Sequence, residues 1–249
     1  MYEGSGWWRG EPEIINGAIR LKKNTHINFY QFFTGVTEEA DPIMPHRALI
    51  RVQTVKDAVD FVGKYGLLGL WKCKPYAFSE VNLKINFIID EDRRGEMDFY
   101  FQWQEPISLF MLAVREFRET AEALMLSEPA TDDFKATRRE ALNSLDGWIS
   151  ECHPATTAGF TDFTNFTEFK ARPIWHCPSL LHACYLGLWL DLTEGRKLRR
   201  CADKYCERLF YADRPNKRFC SEECRNRANR RAHYHRQKDK ALSSCITDL

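Results

Sequence analysis

The sequence predicts an α+β protein of two unequal parts: a mixed helical and β-hairpin domain over residues 1–195 and a small basic module over residues 196–242, closed by a tail at 243–249. Three observations predict it. All seven tryptophans lie before residue 190, so the main core belongs to the first part. Apolar residues there recur with periods of two in some stretches and of about 3.6 in others, the marks of strands and helices. Beyond residue 195 the tryptophans stop, the charge turns basic and four cysteines stand in two close pairs. A chain of 249 residues can bury a sizeable core, and contents of 44% hydrophobic and 13% aromatic residues exclude wholesale disorder.

Residues 1–50 carry little pattern, and short strands are expected at Ala18–Leu21 and Ala48–Val52. Thr54 followed by Asp57 resembles a capping box, and Val55, Ala58, Val59 and Val62 share one helical face. That helix should stop near Gly63 to Gly66. Val81, Leu83, Ile85, Phe87 and Ile89 alternate with mostly polar residues, as do Met97, Phe99, Phe101 and Trp103. The charged link Asp90–Glu96 contains Gly95 and makes the pair a β-hairpin. A helix follows from Pro106 to about Leu126, with Phe110, Val114, Phe117, Ala121 and Leu124 on one side. A second is expected over Asp133–Ile149 and a third over Pro178–Thr193, with Pro178 in its first turn. The third is apolar on most sides, so it should be central to the core. Phe160, Phe163, Phe166 and Phe169 recur every third residue and are read as core packing.

The opening Met1–Trp8 has no basic stretch followed by an apolar one, so no secretory signal is expected. The longest run without formal charge, Pro173–Leu190, holds two prolines and two histidines, so no membrane span is expected either. Both readings point to the cytoplasm. In that reducing compartment nine cysteines suggest metal ligation more than disulfides.

The stretch Leu198 to Cys224 carries the ligands. Cys201 and Cys206 are followed, after thirteen intervening residues, by Cys220 and Cys224. Four thiolates in two close pairs suit a tetrahedral, closed Zn²⁺ site, structural and not catalytic. Between the pairs, Arg208–Ala212 and Arg218–Cys220 read as two strands of a hairpin around an Asp213–Lys217 turn. Ser221 then caps a helix whose first turn carries Glu222, Glu223 and the last ligand. Knuckle, hairpin and ligand-bearing helix make a treble clef. So short a segment, with Phe210, Tyr211 and Phe219 as its small core, needs the metal to fold.

These residues resemble the CGNR-type zinc fingers of bacterial transcription regulators. Such fingers show Leu-x-x-Cys-x₄-Cys, a Phe and an Asp in the hairpin, and Cys-x₃-Cys running into Asn-Arg. The matching positions here are Leu198, Cys201, Cys206, Phe210, Asp213, Arg218, Cys220, Cys224, Asn226 and Arg227. The chain departs where the family has glycine after the last cysteine, which is Arg225 here. The resemblance covers residues 198–236. It implies an N-terminal ABATE-like domain of regulatory character, to which residues 54–126 bear only a vague likeness.

The net charge of +1 conceals a segregation. Residues 196–240 hold 16 Lys or Arg against 6 Asp or Glu, which leaves 20 basic and 29 acidic residues for the rest. This is the electrostatic footprint of a partner that is an anionic polymer. Lys217, Arg218, Arg225, Asn226, Arg227, Asn229, Arg230, Arg231 and Arg236 are the candidate nucleic-acid contacts. Arginine grips phosphate or guanine and asparagine pairs with adenine, which favours DNA over RNA as the partner. Cys224, Ala228 and Ala232 form a small-residue stripe for packing on the hairpin. The leading expectation is a DNA-binding transcription regulator whose N-terminal domain senses a small ligand or binds a protein partner. The other is a protein-docking or RNA-binding adaptor. Cys152, His153, His176 and Cys177 have ligand chemistry but lack ligand spacing, and burial is the preferred reading. The acidic Asp90–Asp98 cluster reads as a solvated loop. No phosphate-binding loop, dinucleotide fingerprint, nucleophile elbow or H-E-x-x-H is present, and no enzyme activity is expected.

Overall fold

Ile19 and Leu21 alternate with Arg20 and Lys22, and that period of two buries the first pair while leaving the second exposed. In the computed structural model, which describes residues 6–28, 44–70, 104–126, 132–160, 169–206, 208–212, 214 and 216–247, they lie on the second of two long strands. Strand β1 (Gly6–Ile15) and strand β2 (Ala18–Asn28) form an antiparallel hairpin through Asn16-Gly17. Both turn residues have positive φ, 49° and 78°, the conformation that an Asn-Gly pair adopts most readily between twisted strands. The register shifts between Gly10 and Pro12, a bulge beside a residue with no N–H to donate. A short strand β3 (Gln104–Pro106) pairs with β2 and completes a sheet of order β1-β2-β3.

The elements are mixed helix and small sheets, as an α+β protein requires. Helix α1 (Pro45–Leu49) occupies part of the stretch read as the strand Ala48–Val52. Pro45 in its first turn favours helix, and the alternating apolar run is too short to outweigh that. Helix α2 (Val55–Tyr65) starts at the expected capping box: Thr54 Oγ1 accepts the Asp57 N–H at 3.2 Å, and the Asp57 carboxylate accepts the Thr54 N–H at 2.9 Å. Its buried face is Ala58, Phe61, Val62 and Tyr65, whereas Val55 is exposed. The face is rotated because Phe61 and Tyr65 offer more apolar surface than Val55 and Val59. The helix ends at Gly66. The hairpin expected over 81–103, with its acidic loop, lies outside the described residues.

Helix α3 (Ile107–Met125) buries all five residues assigned to its inner side. Helix α4 (Asp132–Ile149) leads to a hairpin of strands β4 (His153–Phe160) and β5 (Phe169–His176), which the every-third phenylalanine pattern did not suggest. Helix α5 (Leu180–Thr193) is buried along Leu180–Leu188 and packs against α1, α3 and α4. Its cap is Ser179, so Pro178 precedes the helix and does not sit in its first turn. Tyr185 stacks on Trp148 of α4 at 4.9 Å and meets Phe117 of α3 edge-on at 5.1 Å. Among the described residues no helix is long and apolar enough to cross a membrane.

Two buried carboxylates fasten loops to this core. Asp191 of α5 accepts from Arg47 Nη2 at 2.6 Å and Nε at 3.1 Å, with His46 Nε2 at 2.7 Å. Burial opposes its charge, but the hydrogen bonds from His46 and Arg47 outweigh that and hold it down to about 2. Gly187 lets His46 lie against α5, because a Cβ there would strike the imidazole ring. Glu105 of β3 accepts the backbone N–H groups of Leu68, Gly69 and Leu70 at 3.0, 2.6 and 2.8 Å. The Leu68 carbonyl in turn accepts the Leu181 N–H at 3.0 Å, tying this loop to the start of α5.

The chain divides into two compact units, Met1–Gly195 and Arg196–Leu249. All elements so far belong to the first. Burial raises the Glu105 carboxyl to about 7 despite the three N–H donors, so the folded unit keeps this proton where the unfolded chain has lost it. Its contribution to stability is therefore complete below pH 4.5 and lost as pH rises through about 7. Denaturant midpoints of the tryptophan signal should fall by the equivalent of about 3 kcal/mol between pH 4.5 and 8. The Glu105→Gln variant should lack that component of the slope.

Candidate metal centre and basic helix

The second unit begins with strand β6 (Leu198–Arg200), which pairs antiparallel with β7 (Leu209–Tyr211). Residues 208–212 were expected to pair with 218–220; their ladder partner is instead the strand before the first ligand. Leu198 and Leu209 are both buried on this ladder, which explains why that pairing prevails. The return segment still docks on the knuckle, since the Ala202 N–H donates to the Arg218 carbonyl at 2.8 Å. Between the two strands the chain folds tightly: the Cys201 N–H donates to the Arg208 carbonyl at 2.9 Å and the Cys206 N–H to the Asp203 carbonyl at 2.8 Å. Asp213 and Pro215 of the expected turn lie outside the described residues.

Helix α6 (Glu222–Thr247) follows, with the Ser221 hydroxyl accepting the Cys224 N–H at 3.3 Å and the Ser221 carbonyl accepting the Arg225 N–H at 3.2 Å. The cap and the acidic first turn are as expected. Cys224 therefore stands on the first turn of α6, facing the knuckle.

The sulfurs of Cys201, Cys206, Cys220 and Cys224 all lie within 4.8 Å of one another. Cys206 and Cys220 are 3.4 Å apart and Cys220 and Cys224 3.6 Å. A tetrahedral ion with Zn–S bonds of about 2.3 Å needs sulfurs roughly 3.8 Å apart, so the cluster fits one structural Zn²⁺. Burial raises the thiols of Cys220 and Cys206, whereas hydrogen bonding to Ser221 lowers that of Cys224. Four clustered thiols resist ionising together; a divalent cation removes that penalty, and its affinity rises with pH as it displaces their protons. The site's small core is Cys201, Phe210 and Cys224, flanked by Cys206, Ala212, Phe219 and Cys220.

Outside the ligands, one carboxylate organises the unit. Asp203, fully buried between the first two cysteines, accepts from Arg227 Nε at 2.6 Å and Nη2 at 2.5 Å on one oxygen and from Arg231 on the other. Burial alone would raise its carboxyl, but hydrogen bonds from Arg231 and Arg227 hold it below the ordinary carboxylate range. Arg227 Nη2 also approaches the Cys224 sulfur at 3.4 Å, and the Cys220 N–H approaches that of Cys201 at 3.5 Å. Such donors offset the negative charge of a tetrathiolate site. Arg227 and Arg231, both candidate nucleic-acid contacts, thus join α6 to the knuckle. Sequence reasoning passed over Asp203; the signal was an acid between two ligands and two arginines four residues apart.

The remaining candidates lie further out. Arg218, Arg225, Asn226, Asn229, Arg230 and Arg236 are exposed. Arg225 pairs with Glu222 at 2.6 Å, an exposed contact of small energetic weight. Lys217 is half-buried, with its ammonium 6.0 Å from the Phe210 ring centroid. Asn226, Asn229, Arg230 and His233 recur at helical spacing on one exposed stripe. The small-residue stripe is only partly used: Cys224 is buried and Ala228 half-buried, but Ala232 is exposed.

In the first unit, Cys152 and Cys177 are buried, and His153 stacks on His176 at 4.6 Å. Among the described residues, the four finger cysteines are the group whose ligand atoms converge as a metal requires. An open groove of about 620 Å³ runs between α3 and α4, bordered by Arg115, Glu119, Thr120, Glu140 and Ser144.

Residues 197–237 match the family model of the CGNR zinc finger, which bears out the resemblance over that segment. No curated protein and no solved structure matches the chain significantly. The Asp203→Asn substitution should raise the zinc dissociation constant tenfold or more, as losses of groups supporting metal ligands do. Competition with a chromophoric chelator measures it; unchanged retention would show that the arginine clasp does not support the metal.

Proposed function

We propose that the chain is a zinc-dependent nucleic-acid-binding protein, and more closely a cytoplasmic DNA-binding transcription regulator of bacterial type. The observation that carries this reading is the segregated charge, 16 basic against 6 acidic residues over 196–240, on a module whose long helix is anchored at one end by four ligands and Asp203. The treble-clef reading of this module is supported by the four converging cysteines, the last of them on a helix, and by the family match over residues 197–237. A rigidly held helix presents its exposed side as a preorganised surface, which spares the cost of ordering it on binding. Arg218, Arg225, Arg230 and Arg236 supply phosphate contacts from exposed positions, and Asn226 and Asn229 add groups able to meet base edges. Arg227 and Arg231 brace this surface through Asp203, and Arg227 keeps 49% of its side chain exposed while doing so.

Zinc is structural in this reading, because four thiolates complete a tetrahedral shell and leave no position for a reacting water. The protein acts by binding and not by catalysis. The larger unit takes the regulatory role, and the groove between α3 and α4 is the place to seek a small polar ligand.

A mobility-shift titration across salt concentration tests the reading. Neutralising about four phosphates should give a log K against log salt slope near −4, at roughly −0.9 per contact on duplex DNA. Replacing Arg218 and Arg230 together by alanine should flatten the slope by about 2 without loss of zinc. A flat dependence in the parent protein rejects the proposal.

A further inference from the structure

The finger exposes two large aromatic rings. Tyr205, in the knuckle between Cys201 and Cys206, is 68% exposed, and Tyr234 on α6 is 65% exposed. Single exposed aromatics are ordinary, but this pair is set among cations. The Arg231 guanidinium lies 4.4 Å from the Tyr205 ring centroid and the Lys204 ammonium 4.9 Å from it. Arg231 is itself held by buried Asp203, so the Tyr205 ring rests on a fixed support close to the metal. Tyr234 follows Arg231 by three residues and Arg230 by four, which puts all three side chains on adjoining parts of one helix surface. The His235 ring meets Tyr234 edge-on at 5.9 Å.

We infer that Tyr205 and Tyr234 are stacking platforms for unpaired bases, so that the finger takes single-stranded nucleic acid in preference to duplex. The inference rests on the nucleic-acid-binding reading above and, within it, ranks an unpaired strand ahead of the duplex. A basic surface needs no exposed aromatics to hold a duplex by its phosphates, and a duplex keeps its base faces stacked internally. An unpaired strand offers both an anionic backbone and free π-faces, and aromatic rings flanked by cations recognise that combination. Single-stranded DNA and single-stranded RNA share this chemistry. The charge of the 196–240 segment complements either one.

The test is fluorescence anisotropy on the full-length, zinc-loaded protein at fixed ionic strength. Labelled single-stranded DNA, single-stranded RNA of the same sequence and the corresponding duplex DNA are compared at equal length. One of the single strands should bind at least about tenfold more tightly than the duplex, and the better of the two names the source. Tyr205→Ala and Tyr234→Ala should each weaken single-strand binding roughly tenfold, the range seen when a base loses an aromatic partner, and leave duplex binding unchanged. Tyr205→Phe and Tyr234→Phe should retain it, since the ring and not the hydroxyl stacks. Zinc content of every variant separates loss of contact from loss of fold. Duplex binding equal to single-strand binding, or alanine variants of full zinc content with unaltered single-strand affinity, would overturn the inference while leaving phosphate-driven binding intact. Failure to bind any of the three would remove both.

Discussion

The convergence of four sulfurs on one divalent ion is the constraint from which the second unit is built. Around the site its apolar core is Phe210 with the ligands themselves, flanked by Ala212 and Phe219, to which the β6–β7 ladder adds buried Leu198 and Leu209. That is too little buried surface to offset the entropy of ordering such a segment, and ligation supplies the difference. The ion also fixes direction. Because Cys224 lies on the first turn of α6, binding the metal aims the whole helix. Asp203 adds a second point of attachment further along the helix, reaching Arg227 and Arg231 across the site. A buried carboxylate is costly unless paired, and here two guanidinium groups share it.

The larger unit is organised on other principles. Its central helix α5 is apolar on nearly every side, and burial of that surface against α1, α3 and α4 accounts for its position. The charged groups inside it act as fasteners for segments too short to stand alone. Asp191 holds α1 through His46 and Arg47, and Glu105 holds the loop after α2 by three backbone N–H groups. One unit thus depends on a metal and the other on hydrophobic burial pinned by buried acids.

What could be read beforehand follows from which forces act locally. The four ligands were legible because tetrahedral coordination restricts spacing, and α3 was legible because its inner side repeats faithfully over nineteen residues. The capping box of α2 was legible for the same reason, being complete within four residues. Helix α1 was misread, since the apolar alternation from Ala48 spoke against Pro45 and the outcome rests on docking against α5. The β1–β2 hairpin carried an Asn-Gly signal, and Ala18–Leu21 was read as a strand, but the hairpin went unread because β1 shows little alternation to mark a partner. The partner of β7 and the place of Asp203 depend on contacts between residues distant in sequence. Periodicity contains no record of such contacts. Among the nine candidate contacts, Arg227 and Arg231 reach an acid that periodicity does not reveal, whereas Arg218, Arg225, Arg230 and Arg236 stand exposed.

Gly187 illustrates how small a feature can govern a larger one. Helix α1 has only five residues, too few to persist by its own hydrogen bonds. Asp191 holds it through His46 and Arg47, and the imidazole of His46 seats in a notch on α5 that is one carbon deep. Filling that notch with the methyl group of alanine would evict the ring and separate it from Asp191. The shape of a single missing side chain thus acts as a keyhole for the His46 ring, one of the two residues by which Asp191 grips the first helix.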